Sequence, residues 1–305
     1  MDTEGREAQR LAAALDAAQA VIIAPSNGFD IVDGYNQFAC DQEFLRVFGD
    51  FHRAFGLNGI LQGLMSRWPD AGARWAFLAR LVDYGTRSYV PSPAMRAVDA
   101  LTAGLPRFVV TCNCNSRFER AGFDAATVLE TEGTFARAWC PAGCEAGEAD
   151  ALPIVERLIQ AEPALAAPQP GCAVDADASG APSIPQVPDD LLPRCPHCGA
   201  VLDAAVGNAA RMEASPRFQA QRAHFEAFVQ QHAGARVAVL ELGMGQGNPA
   251  IKQPLMALAE RCPQWTYAVL NREPAVLPRI ARERTFALQG DLAGTLETLR
   301  KAVRK

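Results

Sequence analysis

Short apolar runs alternate with longer segments of helical spacing along most of this chain. The runs AVIIA (20–24), RFVVT (107–111), VAVLEL (237–242), TYAVL (266–270) and TFAL (285–288) are rich in β-branched residues and bounded by turns, the pattern of buried strands. The first twenty residues read as an amphipathic helix. From 40 to about 88, Phe44, Phe48, Phe51, Phe55, Leu61, Trp75, Phe77, Leu78 and Leu81 recur at helical spacing, and this aromatic stripe predicts core packing. Ser92 before Pro93 opens another helix, because Ser caps and Pro suits the first turn. Further helices are expected at 215–231, from the turn after residue 242 to about 261, briefly between 271 and 285, and from Asp291 onward. Strands alternating with helices predict an α/β fold, a Rossmann-type parallel sheet with helices on both faces.

The texture changes from about 139 to 205, and this stretch divides the expected sheet domain into a first part (1–138) and a second part (206–305). Residues 163–190 are crowded with Pro, Ala, Gly, Ser and Asp without periodicity, which predicts a disordered surface loop. Flanking it are two close cysteine pairs, Cys140 with Cys144 and Cys195 with Cys198. Each pair can supply half of a tetrahedral zinc site, and a closed four-cysteine site leaves no position for water, so the metal would be structural. A redox Cys-x-x-Cys and plain buried thiols are the other readings of the same residues. His197 lies between two stronger ligands and is expected to be exposed. The remaining cysteines, at 40, 112, 114, 172 and 262, show no ligand spacing.

Composition narrows the setting. The 305 residues are 49% hydrophobic, enough for one large core with a satellite. A net charge of −5 gives no reason to expect nucleic acid or an anionic membrane surface. No apolar run approaches the roughly 18 residues of a membrane span, and the N-terminus lacks the pattern of a signal peptide. A cytoplasmic protein is expected, and its nine cysteines then suit metal and buried thiols better than disulfides.

Three turns follow predicted strands and should lie at the carboxyl edge of the sheet, where open α/β folds bind ligands. Singly they say little. Gly243-Met244-Gly245-Gln246-Gly247 is not the dinucleotide fingerprint, because its third glycine comes one residue early. In order, however, the segments resemble the sirtuin family, especially its bacterial macrodomain-linked members, over nearly the whole chain. Thr111, Asn113 and the Ala121-Gly122 pair fall where that family has Thr-x-Asn-x-Asp and Ala-Gly. Thr131-Glu132-Gly133 stands where ordinary sirtuins have His-Gly and the macrodomain-linked group has Gln-Gly. The cysteine pairs follow, then Gly243 and Gly245 with Asn248-Pro249, Asn271-Arg272 and Gly290-Asp291 in the family's order.

The resemblance implies NAD as cosubstrate and zinc as a structural metal. Asn27, Gly28 and Asp30 would approach the NAD phosphates, and Gly243 and Gly245 would lie against phosphate and ribose. Asn271 and Arg272 would lie near the adenine ribose, Asp291 and Leu292 at the adenine, and Asn113 at the nicotinamide ribose. Departures cluster where the chemistry would be. Ser26-Asn27-Gly28 replaces Gly-Ala-Gly, Asn115 replaces an acid, and Glu132 replaces the catalytic His or Gln. A carboxylate suits an oxocarbenium-like transition state better than it suits the neutral base of deacylation. The expected activity is therefore NAD-dependent ADP-ribosyl transfer, with Asn113, Asn115 and Glu132 at its centre. The acceptor would be a protein, a lipoyl-carrier protein by family analogy, or water. Protein deacylation and a sensor of NAD or ADP-ribose without turnover are the alternatives.

Overall fold

The computed structural model describes residues 3–144, 148–169, 184–245 and 248–303. Cys172, the middle of the expected loop at 163–190, and Gln246 with Gly247 lie outside the described residues. In chain order the strands are β1 (Ala20–Pro25), β2 (Arg107–Thr111), β3 (Val128–Glu130), β4 (Gly133–Trp139), β5 (Ala149–Asp150), β6 (Asp203–Val206), β7 (Val237–Leu242), β8 (Thr266–Asn271) and β9 (Thr285–Gln289). The α-helices are α1 (Thr3–Ala17), α2 (Asn27–Val32), α3 (Gln42–Phe55), α4 (Ile60–Met65), α5 (Ala71–Val82), α6 (Pro93–Thr102), α7 (Arg117–Arg120), α8 (Ala151–Ala161), α9 (Ala209–Ala214), α10 (Pro216–His232), α11 (Pro249–Arg261) and α12 (Leu292–Ala302).

The five apolar runs and the short β3 form one six-stranded sheet in the order β3-β2-β1-β7-β8-β9, parallel throughout. Because side chains alternate along a strand, each face builds its own core. Val21 and Ile23 pack with Leu11 of α1, Val98 of α6 and Leu296 of α12 on one side. Ile22 and Ala24 pack with Phe228 of α10 and Leu255 of α11 on the other. Both faces are covered, as a fully apolar parallel sheet requires.

A second, three-stranded antiparallel sheet, β5-β4-β6, carries the cysteine pairs. Its core is shared with α3, α4 and α5: Phe48, Phe51, Trp75, Phe77 and Leu81 pack with Phe135, Cys140, Val155 and Cys195. The aromatic stripe is core, as its spacing predicts, but it joins the cysteine module rather than the large sheet; Phe55 and Leu61 stay exposed. Helix α8 lies inside the module, where no helix was expected. Leu165, Ala167 and Val187, at the two ends of the expected loop, are buried in this core, so its flanks are packed rather than disordered. The brief helix expected between 271 and 285 is a single 3-10 turn at Arg282–Arg284, because Pro274 and Pro278 interrupt the preceding stretch.

Candidate functional site

The sheet order reverses between β1 and β7, so the chain leaves these neighbours in opposite directions and opens a crevice at their carboxyl ends. A cleft of about 690 Å³ lies there. It is walled by the turn after β1 (Ser26, Asn27, Gly28), the turn after β7 (Gly243, Gly245, Asn248), the turn after β8 (Asn271, Arg272) and the start of α12 (Asp291, Leu292). Cys112 and Glu132 close its far end.

The two central turns are locked together main chain to main chain. The Gly28 N–H donates to the Gly243 carbonyl at 2.9 Å. A Cβ on Gly28 would sit 2.5 Å from that oxygen, and one on Gly243 would sit 2.5 Å from the Phe29 nitrogen. Gly243 also has φ +61°, where L side chains are strained. Asn271 supports the same wall: its amide donates to the Met244 carbonyl at 3.0 Å and its oxygen accepts from the Arg272 N–H at 2.9 Å. Asp291 caps α12 through the Gly294 N–H at 2.8 Å, placing the positive end of that helix at the cleft mouth.

The far end of the cleft is built from buried side chains. Glu130 ends β3, and one oxygen accepts from the Ser116 N–H at 3.1 Å and hydroxyl at 2.9 Å. This holds Ser116 at φ +51°, the one non-glycine with positive φ among the described residues. The other Glu130 oxygen pairs with Arg217 of α10 at 3.1 Å. Burial outweighs that arginine and pushes the Glu130 carboxyl up to about 7. Two residues on, Glu132 projects into the cleft from a turn that needs Gly133, since a Cβ there would overlap the Ala205 carbonyl at 2.0 Å. Glu132 is exposed, yet the walls around it desolvate it enough to push its carboxyl upward. Among the described residues its carboxylate has no hydrogen-bond partner.

Three of the residues singled out from the sequence lie under the cleft, not on its wall. Asn113 and Asn115 are 4% and 2% exposed. Asp30 is expected at the phosphates but is 4% exposed on the inner side of α2, where its carboxylate accepts from the Asn115 amide at 2.8 Å. Asn27, Gly28, Gly243, Gly245, Asn271, Arg272, Asp291, Leu292 and Glu132 share the cleft wall. Cys112 joins them without any spacing signal. Its sulfur lies 3.2 Å from the Ser26 hydroxyl and 3.1 Å from the Asn248 amide. Burial pushes this thiol up to about 11, so it stays protonated near neutral pH. A second cavity of about 620 Å³ meets the first at Asn27, Cys112 and Glu132 and runs toward β4 and α4, past the exposed Phe38, Leu61 and Met65.

The sulfurs of Cys140, Cys144, Cys195 and Cys198 all lie within 4.8 Å of one another. A zinc tetrathiolate with bonds of about 2.3 Å has sulfur–sulfur edges of about 3.8 Å, so the donor set fits that metal. Both pairs sit on tight turns, with the Gly143 N–H on the Cys140 carbonyl at 3.0 Å and the Gly199 N–H on the Cys195 carbonyl at 2.9 Å. His197 is exposed, and its Nδ1 lies 3.4 Å from the Cys144 sulfur.

No protein-family model matches the chain. It is 24% identical over 307 residues to a protein ADP-ribosyltransferase of Staphylococcus aureus (strain Mu50), covering 98% of this chain and 88% of that protein. Among solved structures, a Sir2 homolog–NAD complex superposes with a TM-score of 0.58 at 18% identity, covering 97% of this chain and 93% of that one. A mutant Sir2 homologue in complex with 2′-O-acetyl ADP ribose gives 0.57 at 17% identity, covering 100% and 97%. These likenesses show the fold: a Sir2-type Rossmann sheet with a small cysteine module inserted. Among the described residues no helix is long and apolar enough to cross a membrane.

Proposed function

We propose that this protein binds NAD across the switch-point cleft, breaks its nicotinamide–ribose bond and passes ADP-ribose to a protein acceptor or to water. The observation that carries the reading is the meeting of two cavities at Glu132, one lined by glycine turns and a helix start, the other leading to the surface. Main-chain amides at such turns suit a pyrophosphate, and the first cavity has the volume of a site for a large ligand. The solved Sir2 homolog holds NAD, and the Staphylococcus aureus relative is a protein ADP-ribosyltransferase; both support the reading.

In the proposed reaction the C–N bond breaks and nicotinamide leaves with the electron pair. Positive charge then develops on the ribose, and the Glu132 carboxylate stabilises it from the junction of the cavities. The acceptor enters through the second cavity, attacks the ribose carbon and gives up its proton to solvent. The exposed Phe38, Leu61 and Met65 along that cavity suit a protein acceptor with an apolar surface, of which a lipoyl-carrier protein is the proposed example.

The test is release of nicotinamide from NAD by the purified full chain. Glu132→Gln is expected to slow release on the order of 100-fold while leaving NAD affinity roughly intact, the size typical of one preorganised electrostatic contact. Faster turnover by Glu132→Gln would make Glu132 a brake and overturn its role. Release that requires an acylated peptide would make the protein a deacylase, and no release with any acceptor would leave an NAD sensor.

A further inference from the structure

Glu132 is not the only carboxylate at the reaction end. Asp30 lies beneath the cleft on α2, whose first turn supplies Asn27 and Gly28 to the wall. Its Oδ2 accepts from the Asn115 amide at 2.8 Å. The opposite end of Asn115 is fixed as well, its Oδ1 accepting from the Arg117 N–H at 3.2 Å. Asn113 donates to the Ser26 carbonyl at 3.3 Å. An asparagine has two near-isosteric ends, and only its partners decide which faces where. An ionised carboxylate accepts and cannot donate, so it turns the amino end of Asn115 toward itself.

We propose that Asp30 is a positioning residue for the reaction. As a carboxylate it sets the side-chain amide of Asn115, and so couples the phosphate-facing turn to the loop beneath the nicotinamide ribose. The inference rests on the reading of the cleft as an NAD site. Stability does not explain the group. Burial pushes the Asp30 carboxyl up to about 7, so holding it ionised opposes folding, and the buried Arg117–Asp33 ion pair at 3.1 Å already ties α2 to α7. A charge kept against its own desolvation, beside a ligand cleft, is a mark of function. The groups facing it are Asp33 and Tyr35 from its own end of the chain, Arg117 from α7, and Asn113, Asn115 and the thiols of Cys112 and Cys114 from the loop after β2. Both thiols are pushed up by burial and stay neutral. Glu130 and Glu132, which act on the same thiols, are also pushed upward, Glu130 to about 7, so the Asp30→Asn variant is what assigns a limb near neutral pH to Asp30.

Four proteins test this: the parent, Asp30→Asn, Asn115→Asp, and the two changes together, which exchange amide and carboxylate across the same contact. Each is assayed for nicotinamide release and for NAD affinity by calorimetry from about pH 5.5 to 8.5. The parent is expected to speed up with pH through about 7 as Asp30 loses its proton. Asp30→Asn should lose that rising limb and about tenfold in rate, with NAD affinity changed by less than about threefold. Asn115→Asp alone puts two carboxyls in contact, so its limb should move to higher pH. The exchange should restore most of the rate because it keeps one amide and one carboxylate in the contact, and the return of the rising limb with it is the readout that a purely structural contact does not move. Asp30→Asn with the parent's limb and rate overturns the proposal, as does an exchange no faster than Asp30→Asn. If the parent releases no nicotinamide, the functional reading fails. The positioning role is then read from affinity: NAD binding should vary with pH in the parent and the exchange but not in Asp30→Asn, and equal behaviour of all three overturns it.

Discussion

The two ends of the cleft are made of different material. At the glycine-turn end the walls are mostly main chain: Gly28 against Gly243, the Met244 carbonyl held by the Asn271 side chain, and the start of α12. At the reaction end they are buried side chains from distant segments: Asp30 under Asn115, and Glu130 holding Ser116 and Arg217. The first kind of wall tolerates little change, because a Cβ on Gly28 or Gly243 would meet backbone at 2.5 Å. The second can exchange one polar group for another, so long as every buried group keeps a partner. The glycine-turn frame can therefore persist while side chains at the other end change.

The largest expected effect separates the ends through the metal. Cys140 and Cys195 belong to the core shared with α3 to α5, whereas the cores on the two sides of the large sheet contain none of the four cysteines. Protein prepared without added zinc is expected to hold about one equivalent. Cys195→Ser, or a strong chelator, should unfold the module and abolish turnover, because Glu132 stands at the start of β4. NAD should still raise the melting temperature of what remains, since the glycine turns belong to the large sheet. Loss of NAD binding together with the metal would break the division; substoichiometric metal unaffected by Cys195→Ser would remove the zinc site itself.

Gly243→Ala attacks the other end. The added Cβ meets the Phe29 nitrogen at 2.5 Å in a backbone with φ +61°, and neither can move without parting the turns after β1 and β7. A cost on the order of 3 kcal/mol is expected from strain and the lost turn contact. The thermal shift given by NAD should vanish with it. A variant that folds at parental stability and still responds to NAD would show that the turns are not the binding wall.

The same division explains what could be read in advance. Five of the six parallel strands were legible because each is a short, fully apolar run closed by a turn, and the two-sided burial follows from that pattern. Strand β3 has three residues, too few for any period. The cysteine pairs show themselves by spacing alone, and the glycine turns by their position after strands. The reaction end is different. Asp30 lies 85 residues from Asn115, and Glu130 lies 87 residues from Arg217. Such partners are set by tertiary packing, and no local pattern marks them. The resemblance placed Asp30 with the phosphates because it follows the first turn; its side chain points inward because α2 turns that face toward the loop after β2. Equally, α3 to α5 read as part of the large domain by order along the chain, although their apolar faces match the cysteine module.

The smallest expected effect concerns Glu130 and is read in stability, not activity. Its carboxyl is pushed from 4.5 up to about 7 by burial, which outweighs Arg217. Between those values the native protein holds a proton that the unfolded chain has released. The stability contributed by this group is therefore fully present below pH 4.5 and is lost as pH rises toward 7. Asp30 acts in the same direction, from 3.8 up to about 7. Urea titrations of the parent across this window should show stability falling with pH, and Glu130→Gln should remove one part of that fall, about 3 kcal/mol across the window. The glutamine still accepts from Ser116 and loses only the charge facing Arg217, so the comparison isolates the titration from the clamp. Adding Asp30→Asn should flatten the profile further, because two carboxyls at the reaction end then no longer take up protons on folding. A Glu130→Gln profile parallel to the parent's would mean that Arg217 keeps Glu130 ionised throughout. The reaction end would then rest on an ordinary ion pair, and its contrast with the glycine-turn end would be one of geometry alone.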